Sequence, residues 1–161
     1  MDNSQGAISV VFICLGNICR SPTAEAVFRK MVADRNLDAH FIIDSAGTAG
    51  YHVGAKPDER SVEVASAMGY DFTGIRCRKV SEEDFVNADY LLAMDASNVE
   101  NLRKVCPQGY EHKIRLLVEF APGDYPEVPD PYYGGRRGFE LVLDLIEQGC
   151  AGFIEHVKQN H

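Results

Sequence analysis

Cys14 and Arg20 stand six positions apart in the run Cys14-Leu15-Gly16-Asn17-Ile18-Cys19-Arg20-Ser21. The run lies between an apolar, strand-like stretch (Ile8 to Ile13) and an amphipathic helical pattern beginning near Pro22. A loop in that position aims backbone N–H groups at one point, and the helix N-terminus adds the positive end of its dipole. A cysteine there sits in a field that favours thiolate. The segment therefore reads as a nucleophile inside a phosphate cradle. Gly16 and Asn17 tolerate the left-handed backbone angles that a nest of N–H groups requires. Ser21 can donate a hydrogen bond back to a thiolate. Ser21 is also expected as the N-cap, with Pro22 at the first helical position. Of the five cysteines, only Cys14 is followed by an arginine six residues on.

The elements that must hold this loop alternate along the chain. Residues 8–13 read as a buried strand, and 22–35 as a helix with Ala24, Val27, Phe28, Met31 and Val32 on its apolar face. Phe41-Ile42-Ile43 is a second strand, followed by a glycine-containing loop from Gly47 to Pro57. Val62, Val64, Ala65 and Met68 suggest a helix ending at Gly69. Ser81 to Asp84 reads as a cap and first turn. Tyr90 to Met94 is a third strand, 96–105 a helix, and Ile114 to Leu117 a fourth strand. Residues 121–135 are a long Pro- and Gly-rich loop. Phe139, Val142, Leu143, Ile146, Cys150, Phe153, Ile154 and Val157 mark a C-terminal amphipathic helix. The expected fold is α/β: a four-stranded parallel sheet of order 2-1-3-4, helices on both faces, and the phosphate-binding loop after strand 1. Ligands in such folds bind beyond the carboxyl ends of the strands. Residues 1–161 read as one domain.

Charge and cysteine usage narrow the function. The formal net charge of -8 opposes general binding to nucleic acid or anionic membranes. Attraction for a phosphate must then be local, from the loop and Arg20. An odd cysteine count without a secreted spacing fits reduced thiols in the cytoplasm. The first apolar run is short and follows no basic segment, so neither a signal peptide nor a membrane span is expected. His40, His52, His112, His156 and His161 show no ligand spacing, so no metal or other cofactor is expected.

Val10 to Pro22, with Ala24-Glu25-Ala26-Val27-Phe28 after it, resembles the signature of the low-molecular-weight protein tyrosine phosphatases. The resemblance continues through Asp44-Ser45-Ala46, Tyr51, Glu83-Asp84-Phe85, Met94-Asp95 and Asp130-Pro131-Tyr132-Tyr133, and so spans essentially the whole chain. It implies hydrolysis of phosphate monoesters, above all phosphotyrosine, through a cysteinyl-phosphate. Cys14 would be the nucleophile. Leu15, Gly16, Asn17, Ile18 and Cys19 would form the phosphate-binding loop. Arg20 would grip two phosphate oxygens bidentately, and Ser21 would stabilise the departing thiolate. Asp130 would be the general acid and then the base, on a backbone restricted by Pro129 and Pro131. Asn17 and Ser45 would support the loop, with Asp95 as a further structural carboxylate. Tyr51, Tyr132 and Tyr133 would line the substrate cleft. Cys19 would trap an oxidised Cys14 as a disulfide. Partners would be phosphotyrosine proteins or peptides, with inorganic phosphate or vanadate-like anions as inhibitors.

One departure stands out. Many relatives carry a histidine where this chain has Ile75, and an apolar residue cannot complete their hydrogen-bond network, so a smaller network and a softer loop are expected. Ile18 matches the tyrosine-phosphatase branch, whereas relatives acting on phosphoarginine tend to have threonine there. An arsenate reductase of the same fold is the rival redox reading. It needs a further cysteine pair, and Cys77 has no cysteine after it before Cys106.

Overall fold

The computed structural model describes residues 6–131 and 135–161. In chain order the elements are β1 (Ile8–Cys14), α1 (Arg20–Asp34), β2 (Phe41–Gly47), α2 (Glu59–Ser66), α3 (Glu82–Asn87), β3 (Tyr90–Ala93), α4 (Ala96–Val105), β4 (Ile114–Leu116) and α5 (Gly135–Asn160). The strands pair in parallel in the order β2-β1-β3-β4, as expected. β1 explains why its sequence is a continuous apolar run. Val10, Phe12 and Cys14 face the core shared with α1, α2 and α5, while Val11 and Ile13 face a second core with Phe85 of α3 and Leu102 of α4. A parallel strand covered on both faces has no polar side to show. Phe28 anchors α1 to three neighbouring elements: its ring meets Phe12 of β1 at 5.6 Å, Phe41 of β2 at 5.0 Å and Phe153 of α5 at 5.7 Å. These edge-on and tilted contacts are the preferred geometries of aromatic pairs.

The register brings the site-bearing loops together. Cys14 pairs with Gly47, and Ile13 pairs with both Ala46 and Ala93, so β1, β2 and β3 end at one edge. A Cβ on Gly47 would lie 2.7 Å from the Leu15 carbonyl oxygen and 3.0 Å from the Asn17 nitrogen. The end of β2 can back onto the loop only because residue 47 has no side chain.

Two local expectations are corrected. Helix α1 begins at Arg20 with Cys19 as its N-cap, so Ser21 lies inside the helix and Pro22 is its third residue. Cys19 makes no side-chain capping bond, and the Ser21 hydroxyl is engaged with Cys14 instead. Asn17 does adopt a left-handed backbone, at φ 54°, but Gly16 does not. What residue 16 needs is space: a Cβ there would come within 3.1 Å of the His52 ring. Elsewhere the elements fall close to their expected places. α2 ends at Ser66 and the chain turns through Gly69 at φ 92°. α4 spans Ala96–Val105, and the Asp95 carboxylate caps it by accepting from the Asn98 N–H at 2.7 Å.

Candidate active site

The back of the loop after β1 is a directed hydrogen-bond network. The Arg78 backbone N–H donates to Asn17 Oδ1 at 2.9 Å. A backbone N–H can only donate, so the Asn17 amide is fixed with its NH₂ on the other side. That NH₂ donates to Ser21 Oγ at 2.8 Å and to Ser45 Oγ at 3.0 Å. Ser21 Oγ lies 2.9 Å from Cys14 Sγ. Ser45 Oγ donates to Glu25 Oε1 at 2.6 Å, and Glu25 forms an ion pair with Arg29 one helical turn on. Burial pushes the Glu25 carboxyl above its ordinary value, against the opposing pull of Ser45 and Arg29. Ile75 is buried in the core cluster. The network therefore ends on a carboxylate of α1, and residue 75 makes no part of it.

Three carbonyls at the start and middle of this segment are also taken. Cys14, Leu15 and Ile18 oxygens accept from the N–H groups of Thr48, Ala49 and Asp58 at 3.0, 2.9 and 2.8 Å. With its carbonyls directed at these partners, a loop of this kind presents its amides to the opposite side.

Arg20 is almost fully buried. Its Nη1 donates to Asp95 Oδ2 at 2.6 Å and to the Val128 carbonyl at 3.0 Å. Asp95 thus caps α4 and orients the guanidinium at once. Val128 in turn donates its N–H to the Met94 carbonyl at 2.8 Å, which ties the Pro-rich loop to the end of β3. Two residues on, Asp130 Oδ2 lies 3.9 Å from Arg20 Nη2. Cys14, Leu15, Gly16, Ile18, Cys19, Arg20, Tyr51, His52 and Asp130 line one cavity of about 260 Å³. Tyr51 stands at its rim, 74 % exposed. Tyr132 and Tyr133 lie outside the described residues.

The five cysteines are free thiols. Burial, reinforced by Asp58, pushes the Cys19 thiol up to about 12. Burial also raises Cys77, Cys106 and Cys150. Among the described residues, no helix is long and apolar enough to cross a membrane.

The family model described as "Low molecular weight phosphotyrosine protein phosphatase" matches residues 9–161. The chain belongs to that family. Its members include the low molecular weight phosphotyrosine protein phosphatase of Schizosaccharomyces pombe, 52% identical over 143 residues, which cover 87% of this chain and 91% of that protein. The solved protein tyrosine phosphatase of Entamoeba histolytica, with Hepes in its active site, superposes with a TM-score of 0.92 at 42% identity, covering 96% of this chain and 99% of that one. The drosophila arginine phosphatase superposes at 0.83 with 33% identity, covering 92% and 97%. Membership makes this chain a phosphatase, a hydrolase of the protein tyrosine phosphatase class.

Three neighbours of the site were not singled out as site residues from sequence. Glu25 is one, and its signal is a polar line at helical spacing, Ser21, Glu25 and Arg29, in a helix whose residues 20–28 are all buried. Arg78 acts through its backbone N–H, which no residue type announces. His52 follows Tyr51 in a loop, where only the fold brings it over Gly16.

Proposed function

We propose that the chain hydrolyses phosphotyrosine in proteins and peptides, and small aryl phosphates, through a cysteinyl-phosphate on Cys14. The observation that carries this reading is the convergence of Cys14, Arg20 and Asp130 on one cavity. The Cys14 thiolate attacks phosphorus as the phosphorus–oxygen bond to the phenol breaks. Asp130, as carboxylic acid, gives its proton to the departing oxygen. In the second step Asp130, now carboxylate, takes a proton from water as that water attacks phosphorus. The phosphorus–sulfur bond breaks, inorganic phosphate is released, and the Ser21 hydroxyl donates to the regenerated thiolate.

Amides of Leu15 through Arg20 would hold the phosphate oxygens at the start of α1, where negative charge is favoured. The Arg20 fork, braced from behind by Asp95, would bind them bidentately. Inorganic phosphate and vanadate-like anions should occupy the same cradle and inhibit. Tyr51, with Tyr132 and Tyr133 by family resemblance, would flank the phenyl ring. Under oxidant, a Cys14 sulfenic acid would condense with the Cys19 thiol to give a disulfide and water. The chemistry requires reduced thiols and fits a cytoplasmic setting.

The test is hydrolysis of an aryl phosphate, a phosphotyrosine peptide and phosphoarginine side by side, in chelator. Turnover of the first two supports the reading. Preference for phosphoarginine would favour the activity for which the drosophila neighbour is named. Arsenate-dependent consumption of thiol without ester hydrolysis would replace the phosphatase reading altogether.

A further inference from the structure

We infer that Glu25 is a positioning residue for Cys14, acting with Arg29 as its counter-charge through Ser45, Asn17 and Ser21. The inference rests on the phosphatase reading for its kinetic consequence, but its structural basis is hydrogen-bond direction.

The donors of the network can be assigned in turn. Asn17 receives the Arg78 N–H on its oxygen and spends both amide hydrogens on Ser21 and Ser45. Each serine oxygen therefore accepts from Asn17 and has a single hydrogen left to give. Ser45 gives its hydrogen to Glu25 at 2.6 Å. For Ser21 the candidates are Cys14 Sγ at 2.9 Å and the Ala46 carbonyl at 3.5 Å. The shorter contact makes Cys14 the acceptor, which suits a thiolate. One amide thus serves both the Cys14 sulfur and a buried carboxylate.

The carboxylate keeps the direction of the whole line. Ionised, Glu25 can only accept, so Ser45 must donate to it and is free to accept from Asn17. Arg29 is paired with Oε2, so a proton on Glu25 goes to Oε1 and brings a hydrogen to a serine whose hydrogen already points the same way. Ser45 would then have to turn, competing with the Asn17 NH₂ that also holds Ser21. Burial opposes ionisation of Glu25, and Arg29 opposes burial. The other charges facing the carboxyl are Asp44 of β2 and Arg78 of the loop before α3. Arg29 is half-exposed, so it can be altered without opening the core.

The experiment uses the full chain with Glu25→Gln, Arg29→Met and Arg29→Lys. The readouts are kcat and KM on an aryl phosphate, the melting midpoint, and the rate at which iodoacetamide alkylates Cys14 from pH 5 to 8, mapped to its peptide. In Glu25→Gln, Ser45 can donate only to a neutral amide oxygen, and we expect kcat to fall about fivefold to tenfold, the difference between a charge-assisted and a neutral hydrogen bond, with alkylation at pH 6 slowed by a similar factor. Arg29→Met should show the same two losses, most strongly at the acid end, and Arg29→Lys should restore both. A folded Glu25→Gln with the parent kcat and alkylation profile would overturn the inference. If Glu25→Gln fails to fold, Arg29→Met decides: a parent-like profile at acid pH overturns it. Should the parent protein hydrolyse no phosphate ester, the phosphatase reading fails alone, because the alkylation profiles still test Glu25.

Discussion

The two sides of the loop are built on opposite plans. Behind it, Asn17, Ser21 and Ser45 are buried, and the Asn17 oxygen and NH₂ both have partners. In front, Tyr51 and the side chain of Asp130 are more than half exposed. The buried side sets where the sulfur and the guanidinium stand, and a directed network leaves them few alternatives. In the proposed mechanism the exposed side meets the substrate and supplies the proton. Changes behind the loop should therefore damage turnover of every substrate alike. Changes in front should discriminate between substrates.

The largest effect is expected at the point where both sides meet. Cys14→Ser should abolish turnover of all phosphate esters while the protein still binds inorganic phosphate, read by calorimetry. Residual hydrolysis above background would break the comparison at its root. Next comes Asp130→Ala, expected to lower kcat by about a hundredfold to ten-thousandfold for alkyl phosphates and far less for p-nitrophenyl phosphate, whose leaving group needs no proton. Equal losses on both would show that Asp130 is not the acid. Asn17→Ala removes the hub behind the loop and leaves two buried hydroxyls short of a donor. A loss of about tenfold to a hundredfold, uniform across substrates, is expected in kcat. Tyr51→Ala should be milder: KM for a phosphotyrosine peptide rises about threefold to tenfold, with little change for a small aryl phosphate.

The smallest effects concern stability, where two carboxylates near the loop should act with opposite sign. Asp84 is drawn below its ordinary value: burial pushes it up, but Arg78 and the Ser81 N–H outweigh burial. Its contribution is present above the unfolded value, about 3.9, and is lost as pH falls through the lower folded value. Glu25 lies above its ordinary value. Its contribution is full below the unfolded value, about 4.3, and is lost as pH rises through the folded one. Melting curves should therefore show Asp84→Asn less stable than the parent at neutral pH, with the gap closing below about pH 4. Glu25→Gln should be no less stable at neutral pH although it turns over more slowly. A neutral-pH midpoint well below the parent's would mark Glu25 as a packing element and blur the contrast.

The front of the site and the fold were legible in the sequence for a physical reason. Cys14 and Arg20 stand at a defined spacing between a strand and a helix, Asp130 between Pro129 and Pro131 came from the family resemblance, and β1 and α1 announce themselves by periodicity. The alternation of strands and helices implies a parallel sheet, and the expected order β2-β1-β3-β4 is the one observed. The back was less legible because hydrogen-bond direction is a property of assembled atoms. Ser21 reads equally well as a helix cap or as a partner for sulfur, and only the structure chooses sulfur and starts the helix at Arg20. Ile75 marked where a familiar partner was missing, but not that the line would end on Glu25. The acceptance of the Arg78 N–H by Asn17 carries no signal in the identity of residue 78.

The most direct measurement is a chemical trap. Asp130→Ala is mixed with p-nitrophenyl phosphate, quenched in acid within milliseconds to seconds, digested and mapped by mass spectrometry. A phosphoryl group on the peptide carrying Cys14, appearing with a burst of p-nitrophenol and absent in Cys14→Ser, is the predicted result. Release of p-nitrophenol with no phosphoryl adduct on Cys14, or with an adduct on another residue, would contradict the account.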